Sequence, residues 1–393
     1  MASIHNALVV GGGVGGMSLA IKLAHSGIKV TLVEKGADFR ADGVGLGQPA
    51  NSLRMLRELG VLDEVLDVGF IYDKMRYLDQ EGNLLVEHSF KLGDAITPAV
   101  CALPRRDLLS ILLARAEDLG VELHTGTTVT ELQQTDGGVE ARLTNGSVKQ
   151  FDVVAGFDGI RSGVRKLAFG DHFTPPPSGF GAWRIQVPRH PHVDAMEFFQ
   201  GRGHKTGLIP ISDDSMYIFH ICKEKPGEYF PPEENVRNLK SRLEGYGSYV
   251  GEIRDSLTED DNHRIIYSPI EPSLLAPPWN RGRIVLGGDA AHTVPPHLTS
   301  GAGMAIEDAV VLGEELIRSS DIEQALSNYS ERRYARNAFV YSYSLKMIQA
   351  EQMLATEKQY EAELDRLTRE GSTAMTVADE ILNQNILPAD VRS

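Results

Sequence analysis

The chain has 393 residues, 42% of them hydrophobic and 24% charged, the composition of an ordinary globular protein with room for two or three cores. Its net charge of -15 is spread without a basic stripe, which argues against nucleic acid as a partner. Cys101 and Cys222 stand far apart and outside any CxxC or Cys/His cluster, so no disulfide framework or metal site is expected, and a reducing cytoplasm is the expected compartment.

The first element is an apolar run at 7–10 with no basic leader before it, and it reads as a buried strand. Glycines follow at 11–16, a helical stretch at 17–26 and a strand at 29–34, which together make a βαβ unit. Helical periodicity returns at 51–68, a hairpin is expected at 74–90 turning at 79–83, and 106–119 is again amphipathic. Short alternating strands run to 148 through a turn at 135–138, and a compact apolar strand at 153–157 ends on Asp158-Gly159. Pro175-Pro176-Pro177 then breaks regularity, and strand-like runs at 181–187, 196–200, 206–211 and 216–222 predict a β-rich second domain. A third apolar strand at 284–286 precedes Gly287-Gly288-Asp289, and the chain is helical from about 304 almost to its end. The stretch 344–370 is charged and weakly apolar, and reads as a solvated or partner-packing helix. No run approaches the roughly 18 apolar residues of a membrane span, so no integral membrane association is expected.

Gly11-Gly12-Gly13-Val14-Gly15-Gly16 satisfies GxGxxG in the context the motif needs, directly after a strand and before a helix. Gly11 permits the tight turn, Gly13 lets a pyrophosphate lie against backbone N–H groups at the helix start with Val14 and Gly15, and Gly16 allows helix to pack on strand. Glu34 ends the second strand, where a carboxylate accepts from both hydroxyls of an adenosine ribose and repels a 2'-phosphate. This motif binds a dinucleotide but does not separate NAD from FAD.

Residues 283–309 read RIVLGGDAAHTVPPHLTSGAGMAIEDA, which resembles the second FAD signature of the class A flavoprotein monooxygenases, the para-hydroxybenzoate and salicylate hydroxylase family. The resemblance implies that Asp289 bonds the ribityl chain and that Gly301 and Ala302, opening a helix, hold the isoalloxazine. A helix start aimed at the flavin's N1/O2 edge would stabilise the anionic reduced form. Where many members have Gly-Gln-Gly-x-Asn, this chain has Thr299-Ser300-Gly301-Ala302-Gly303, similar to the salicylate-hydroxylase-like variant. Asp158-Gly159 is similar to the family's Asp-Gly motif near the pyrophosphate and the pyridine nucleotide, and the segment at 103–108 implies Arg105, or else Arg106, at the FAD phosphates or ribityl. Val129 stands where the family's backbone meets the adenine, and Lys35 and Gly45 join the implied cofactor set.

The fold class implied is α/β: a Rossmann-type, glutathione-reductase-like FAD-binding domain in two parts (1–172 and 273–343), an inserted β-rich substrate domain (173–272, with strands contributed by 72–100) and a C-terminal helical segment (344–393). The activity implied is hydroxylation of a small aromatic or N-heteroaromatic substrate through a flavin C4a-hydroperoxide. FAD would be resident, NADH or NADPH a transient co-substrate, O2 the oxidant, and the assembly a monomer or homodimer. A flavoprotein that does not oxygenate, or a non-catalytic flavin binder, would share the dinucleotide motifs.

Ring activation needs a base or hydrogen-bonding relay facing the flavin. His204, Lys205, Tyr217 and His220 lie on or beside strands of the β-rich domain; Lys205 and Tyr217 resemble positions where urate-hydroxylase relatives place an arginine and a tyrosine against substrate. Alternation puts Tyr217 on the face opposite Met216 and Ile218. Pro296 and His297 resemble the loop whose backbone carbonyl lies near the reacting position, and His297 is titratable near neutrality. His292 reads as a packing or capping residue, and Arg184 serves either the interdomain region or a substrate carboxylate.

Overall fold

The computed structural model describes residues 4–39, 43–91, 93–354, 356–371, 379–384 and 386. Strand β1 (Asn6–Val10), helix α1 (Val14–His25) and strand β2 (Lys29–Val33) form the expected opening unit, β1 and β2 pairing in parallel. They sit in a six-stranded sheet ordered Asn280–Arg281, Ile284–Leu286, Val153–Gly156, β1, β2, Glu122–His124, parallel throughout except at the Asn280–Arg281 edge. The inner strands are continuous apolar runs because both faces are covered. Helices α1, Arg105–Asp118 and Gly301–Arg318 pack together at one face, and the antiparallel meander Val129–Thr135, Gly138–Leu143, Val148–Phe151 meets the other. This is the Rossmann-type layout expected.

A seven-stranded sheet carries the inserted β-rich region, and the hairpin Lys74–Leu78/Leu84–Ser89 forms its far edge through a parallel pairing with Met196–Gln200. Alternation divides its residues as predicted. Met216 and Ile218 go to one core with Trp183 and Leu208, while Tyr217 and Phe219 go to another with Ala182 and Ile209. The first face is closed by helices Asn235–Arg242 and Ser248–Ser256, which reading that region as strand-rich does not anticipate; Val236/Leu239 and Val250/Ile253 supply the apolar spacing of one helical turn.

The expected helix over 51–68 is two, Ala50–Glu58 and Leu62–Val68, because Gly60 turns the chain at φ 72°. At the C-terminal end the helix Ile322–Gln352 runs unbroken across residue 344, the expected start of a separate segment, and Glu357–Glu370 follows it. The stretch 344–370 is therefore not simply a solvated face: Ser344, Ile348, Glu351, Tyr360 and Leu367 are buried. Among the described residues no helix is long and apolar enough to cross a membrane.

The long helix is tied to the dinucleotide domain by buried charges. Arg333 pairs with Asp308 (2.6 Å) and Glu307 (2.7 Å), and Arg336 pairs with Glu307 (2.8 Å). Removing one partner of such a cluster strands the other charge in the interior, at a cost of about 3–5 kcal/mol. Asp308→Ala is accordingly expected to lower the urea midpoint by that much free energy with an unchanged slope; a shift under about 1 kcal/mol would show that the cluster is not holding the helix.

Candidate active site

Four turns of the parallel sheet meet at one edge. The turns after β1, β2, Val153–Gly156 and Ile284–Leu286 lie at the carboxyl ends of parallel strands, where open α/β sheets bind their ligands. Gly11 sits at φ 110° with Phe157 O only 2.3 Å from where a Cβ would stand, and at Gly16 a Cβ would be 1.9 Å from Gly11 O. Gly13 differs, since a Cβ there would meet nothing within 4 Å. It also caps α1 without a side-chain hydrogen bond, so the first N–H groups of that helix face open space. Glu34 accepts from Gly12 N (2.7 Å) and Gly36 N (2.6 Å), which leaves its remaining lone pairs for a further donor. Thr127 N donates to Glu34 O (2.9 Å), bringing the approach to Val129 alongside, while Lys35 is exposed.

From Gly13 a cavity of about 390 Å³ runs inward. Val14, Gly15, Arg105, Asp289, Gly301 and Ala302 all line it. The helix Gly301–Arg318 also lacks a side-chain cap, because Ser300 Oγ turns back to Leu298 O (2.6 Å). Asp289 presents its carboxyl to the cavity; the surrounding protein raises its pKa, with His292 and Arg105 acting the other way. Arg105 lines the cavity with its buried Nε unpartnered, whereas Arg106 points to solvent. Asp158 instead spends its carboxylate internally, accepting from Val164 N (3.0 Å) and from the Ser162 hydroxyl, and its neighbour Gly159 reaches the cavity. Two uncapped helix starts, an unpartnered guanidinium and a carboxyl, in one continuous cleft, fit the phosphates, ribityl and isoalloxazine of a flavin dinucleotide.

The other wall comes from the seven-stranded sheet. Tyr217, Phe219, Ala182 and Arg184 line it, and Gly45 lies so close that a Cβ would be 2.5 Å from the Tyr217 ring. Burial raises the Tyr217 hydroxyl pKa, with Arg184 opposing. Pro296 reaches the cavity, but His297, Lys205 and His204 do not line it. Lys205 Nζ and His297 Nε2 both turn to Glu351, at 2.7 and 3.1 Å. Burial and Lys205 lower the His297 pKa despite Glu351. Burial alone would raise the Glu351 carboxyl, but Lys205 and His297 hold it down at about 2. His204 Nδ1 meets the Tyr246 hydroxyl (2.8 Å), and its pKa is lowered chiefly by burial. His220 pairs with Thr206 (2.9 Å).

Some lining residues escape sequence reasoning. Gly47 is one; it stands two residues from the expected Gly45 on the strand Gly45–Pro49, and this alternation is a signal that one face must stay bare. Leu46, Phe157 and Ala305 carry no such signal, and outside the cavity neither does Glu351, whose partners are distant in sequence.

A family model described as an FAD binding domain matches residues 5–342. The chain is 35% identical to YetM of Bacillus subtilis (strain 168), whose name assigns it to the FAD-dependent monooxygenases, over 87% of this chain and 92% of that one. It is 28% identical to 3-hydroxybenzoate 6-hydroxylase 1 of Aquipseudomonas alcaligenes, over 86% and 88%. Its fold matches a single-residue variant of Klebsiella pneumoniae HpxO complexed with FAD, with a TM-score of 0.86 at 24% identity, covering 97% of this chain and 100% of the other.

The open space at Gly13 and the crowding at Gly16 separate ligand from scaffold. Gly13→Val is expected to change unfolding free energy by less than about 1 kcal/mol yet abolish flavin retention, and Gly16→Val to unfold the protein; thermal melts and flavin absorbance per chain read the two effects. Glu351 gives a pH signature. Its folded carboxyl lies at about 2 against an ordinary 4.5, so its contribution is complete above that ordinary value and lost as pH falls toward 2. The depression is worth about 3 kcal/mol. The stability gap between wild type and Glu351→Gln is expected to narrow through that window, and a pH-independent gap would contradict the pairing.

Proposed function

The chain belongs to the FAD binding domain family, among its FAD-dependent monooxygenases, and we propose that it hydroxylates a small aromatic or N-heteroaromatic molecule with NADH or NADPH and O2. The observation that carries this reading is the pairing of two walls on one cavity: uncapped helix starts on the dinucleotide side and an aromatic sheet face on the other. The relatives' names support it, since one names a ring hydroxylase and another an FAD-dependent monooxygenase.

In this reading Gly13, Val14 and Gly15 seat the pyrophosphate on the turn that Gly11 and Gly16 shape, Glu34 holds the adenosine ribose, and Lys35 and the Val129 backbone lie at the adenine end. Arg105 and Asp289 take the inner phosphate and ribityl chain, Asp158 props the turn that ends in Gly159, and Gly45, Gly301 and Ala302 bracket the isoalloxazine. Bound FAD supplies the redox chemistry, and the overall reaction consumes one NAD(P)H, one proton and one O2 to give hydroxylated product, NAD(P)+ and water. The protein's part is to orient the ring, exclude water and hold its protons in place. Tyr217 and Phe219 present the substrate-side wall, and the Pro296 backbone closes it. His297, oriented by Glu351, keeps an unpartnered buried Nδ1 behind that loop, while Lys205 anchors Glu351 and His204 buttresses Tyr246.

The test is NADH and NADPH oxidation by purified FAD-loaded protein across phenols, hydroxybenzoates and hydroxylated N-heterocycles, with product mass recorded. A compound that accelerates oxidation and gains one oxygen atom is the expected result. Tight FAD binding with no compound stimulating turnover or gaining oxygen would overturn ring hydroxylation as the activity.

A further inference from the structure

Behind the loop that carries Pro296 lies a second, much smaller cavity, of about 20 Å³. Thr299 lines both it and the flavin cavity, so the loop at 295–299 is the partition between the two. The polar residues of the small cavity are His297, Thr299 and Asp379, and the rest of its lining is apolar. Two buried atoms of those residues have no hydrogen-bond partner among the described residues: His297 Nδ1 and Asp379 Oδ1.

The other polar atom of each is committed. His297 Nε2 meets the Glu351 carboxylate at 3.1 Å, and Lys205 at 2.7 Å helps keep that carboxylate ionised, so the imidazole proton belongs on Nε2. Burial favours the neutral ring, which makes Nδ1 an acceptor. Asp379 Oδ2 accepts from His88 Nε2 (2.9 Å) and Lys91 N (3.3 Å), which leaves Oδ1 as an acceptor too. Two acceptors on the walls of one small cavity repel unless a donor stands between them, and each left alone costs the fold a desolvated lone pair. Water has two donor hydrogens, and a cavity of this size admits one molecule.

Both anchors of His297 lie beyond the span 5–342 that the family model matches: Glu351 is on the long helix, and Asp379 begins a separate turn. That turn is fastened without His297, because Arg54 and Arg336 donate to Leu382 O (2.9 Å) and Ile381 O (2.5 Å). We propose that one buried water, donating to His297 Nδ1 and to Asp379 Oδ1, completes a grip on the His297 ring from both sides, and that Asp379 is thereby a positioning residue for the loop that walls the flavin cavity. The line His88–Asp379–water–His297–Glu351–Lys205 then runs unbroken behind the loop. It holds in place both the Pro296 backbone and Thr299, a β-branched residue at φ 48°, a conformation that persists only where its surroundings impose it. The inference goes beyond ring hydroxylation and holds whatever substrate the cavity takes.

A crystal structure of the FAD-loaded protein should show one water within about 3.2 Å of both atoms. Hydrogen–deuterium exchange of the same FAD-loaded protein reads the loop itself, at the amides of residues 297–300, of which the Thr299 N–H donates to Pro296 O at 3.0 Å. Asp379→Leu removes the acceptor and fills the cavity. The loop amides should then exchange about 5- to 10-fold faster, the equivalent of one hydrogen bond, while the amides of β1 and α1 keep their wild-type rates. Asp379→Asn keeps the shape and a group that bonds the water, and should stay within about 2-fold of wild type. No water shared by the two atoms, loop amides of Asp379→Leu at the wild-type rate, equal loosening in both variants, or acceleration spread evenly over loop and core would each overturn the proposal. If Asp379→Leu fails to fold, the crystal structure decides alone. Neither measurement uses NADH or a ring compound, so a failed turnover panel faults the hydroxylase reading and leaves this result standing.

Discussion

The carboxylate of Asp308 accepts from three parts of the molecule at once: from the Gly288 N–H at 3.0 Å, from His292 at 2.5 Å, and from Arg333 at 2.6 Å with its helix neighbour Asn337 at 3.2 Å. Each belongs to a different part of the molecule. Gly288 begins the turn that places Asp289, His292 lies on the way to the Pro296 loop, and Arg333 belongs to the long C-terminal helix. Asp308 itself sits two turns inside the helix whose start faces the cavity. With the neighbouring Glu307 bound to Asn51, Arg333 and Arg336, this cluster fixes the second half of the cleft against the first. Buried ionic groups are a poor source of net stability, and their better-attested use is to specify one arrangement among several. Here the specified arrangement is the register of the Gly301 helix against the Gly288–Asp289 turn and the long C-terminal helix, with the Gly13 helix packed directly alongside.

That register gives the site its character. Two helix starts bare of side-chain caps converge on one cleft, so the dinucleotide side is built from backbone N–H groups and dipoles that need no reorganisation when a ligand arrives. The other side is a sheet face, which holds side chains at the period of the strand, and the flat glycine strand at Gly45–Pro49 lets the two sides approach closely. A second charged cluster, Lys205–Glu351–His297, pins the end of the long helix behind the substrate wall. It connects the C-terminal region to the loop carrying Pro296 without entering the cavity.

The dinucleotide half is legible in the sequence because its chemistry is local. GxGxxG between strand and helix, Glu34 at the end of the next strand, and Gly288-Asp289 after an apolar strand are each set by backbone sterics within a few residues. The alternation that sends Tyr217 inward is local too. What escapes depends on distance. Glu351 lies within a stretch whose composition reads as solvated, yet its partners are 146 and 54 residues away in sequence, a fact no periodicity encodes. Lys205 reads as a substrate contact for the same reason, since its ion pair is formed by a helix that arrives from the far end of the chain. Helices at 235–256 are hidden because short apolar pairs in a strand-rich region carry little helical signal.

The central claim is that one flavin dinucleotide is shared by the two helix starts. Hydrogen–deuterium exchange of the FAD-free protein, repeated after titration with FAD, measures this directly. Protection should appear together at the amides of residues 13–16 and 301–303, with the same dependence on FAD concentration. Protection at 13–16 alone, or at two different FAD concentrations for the two segments, would contradict a single dinucleotide spanning the cleft.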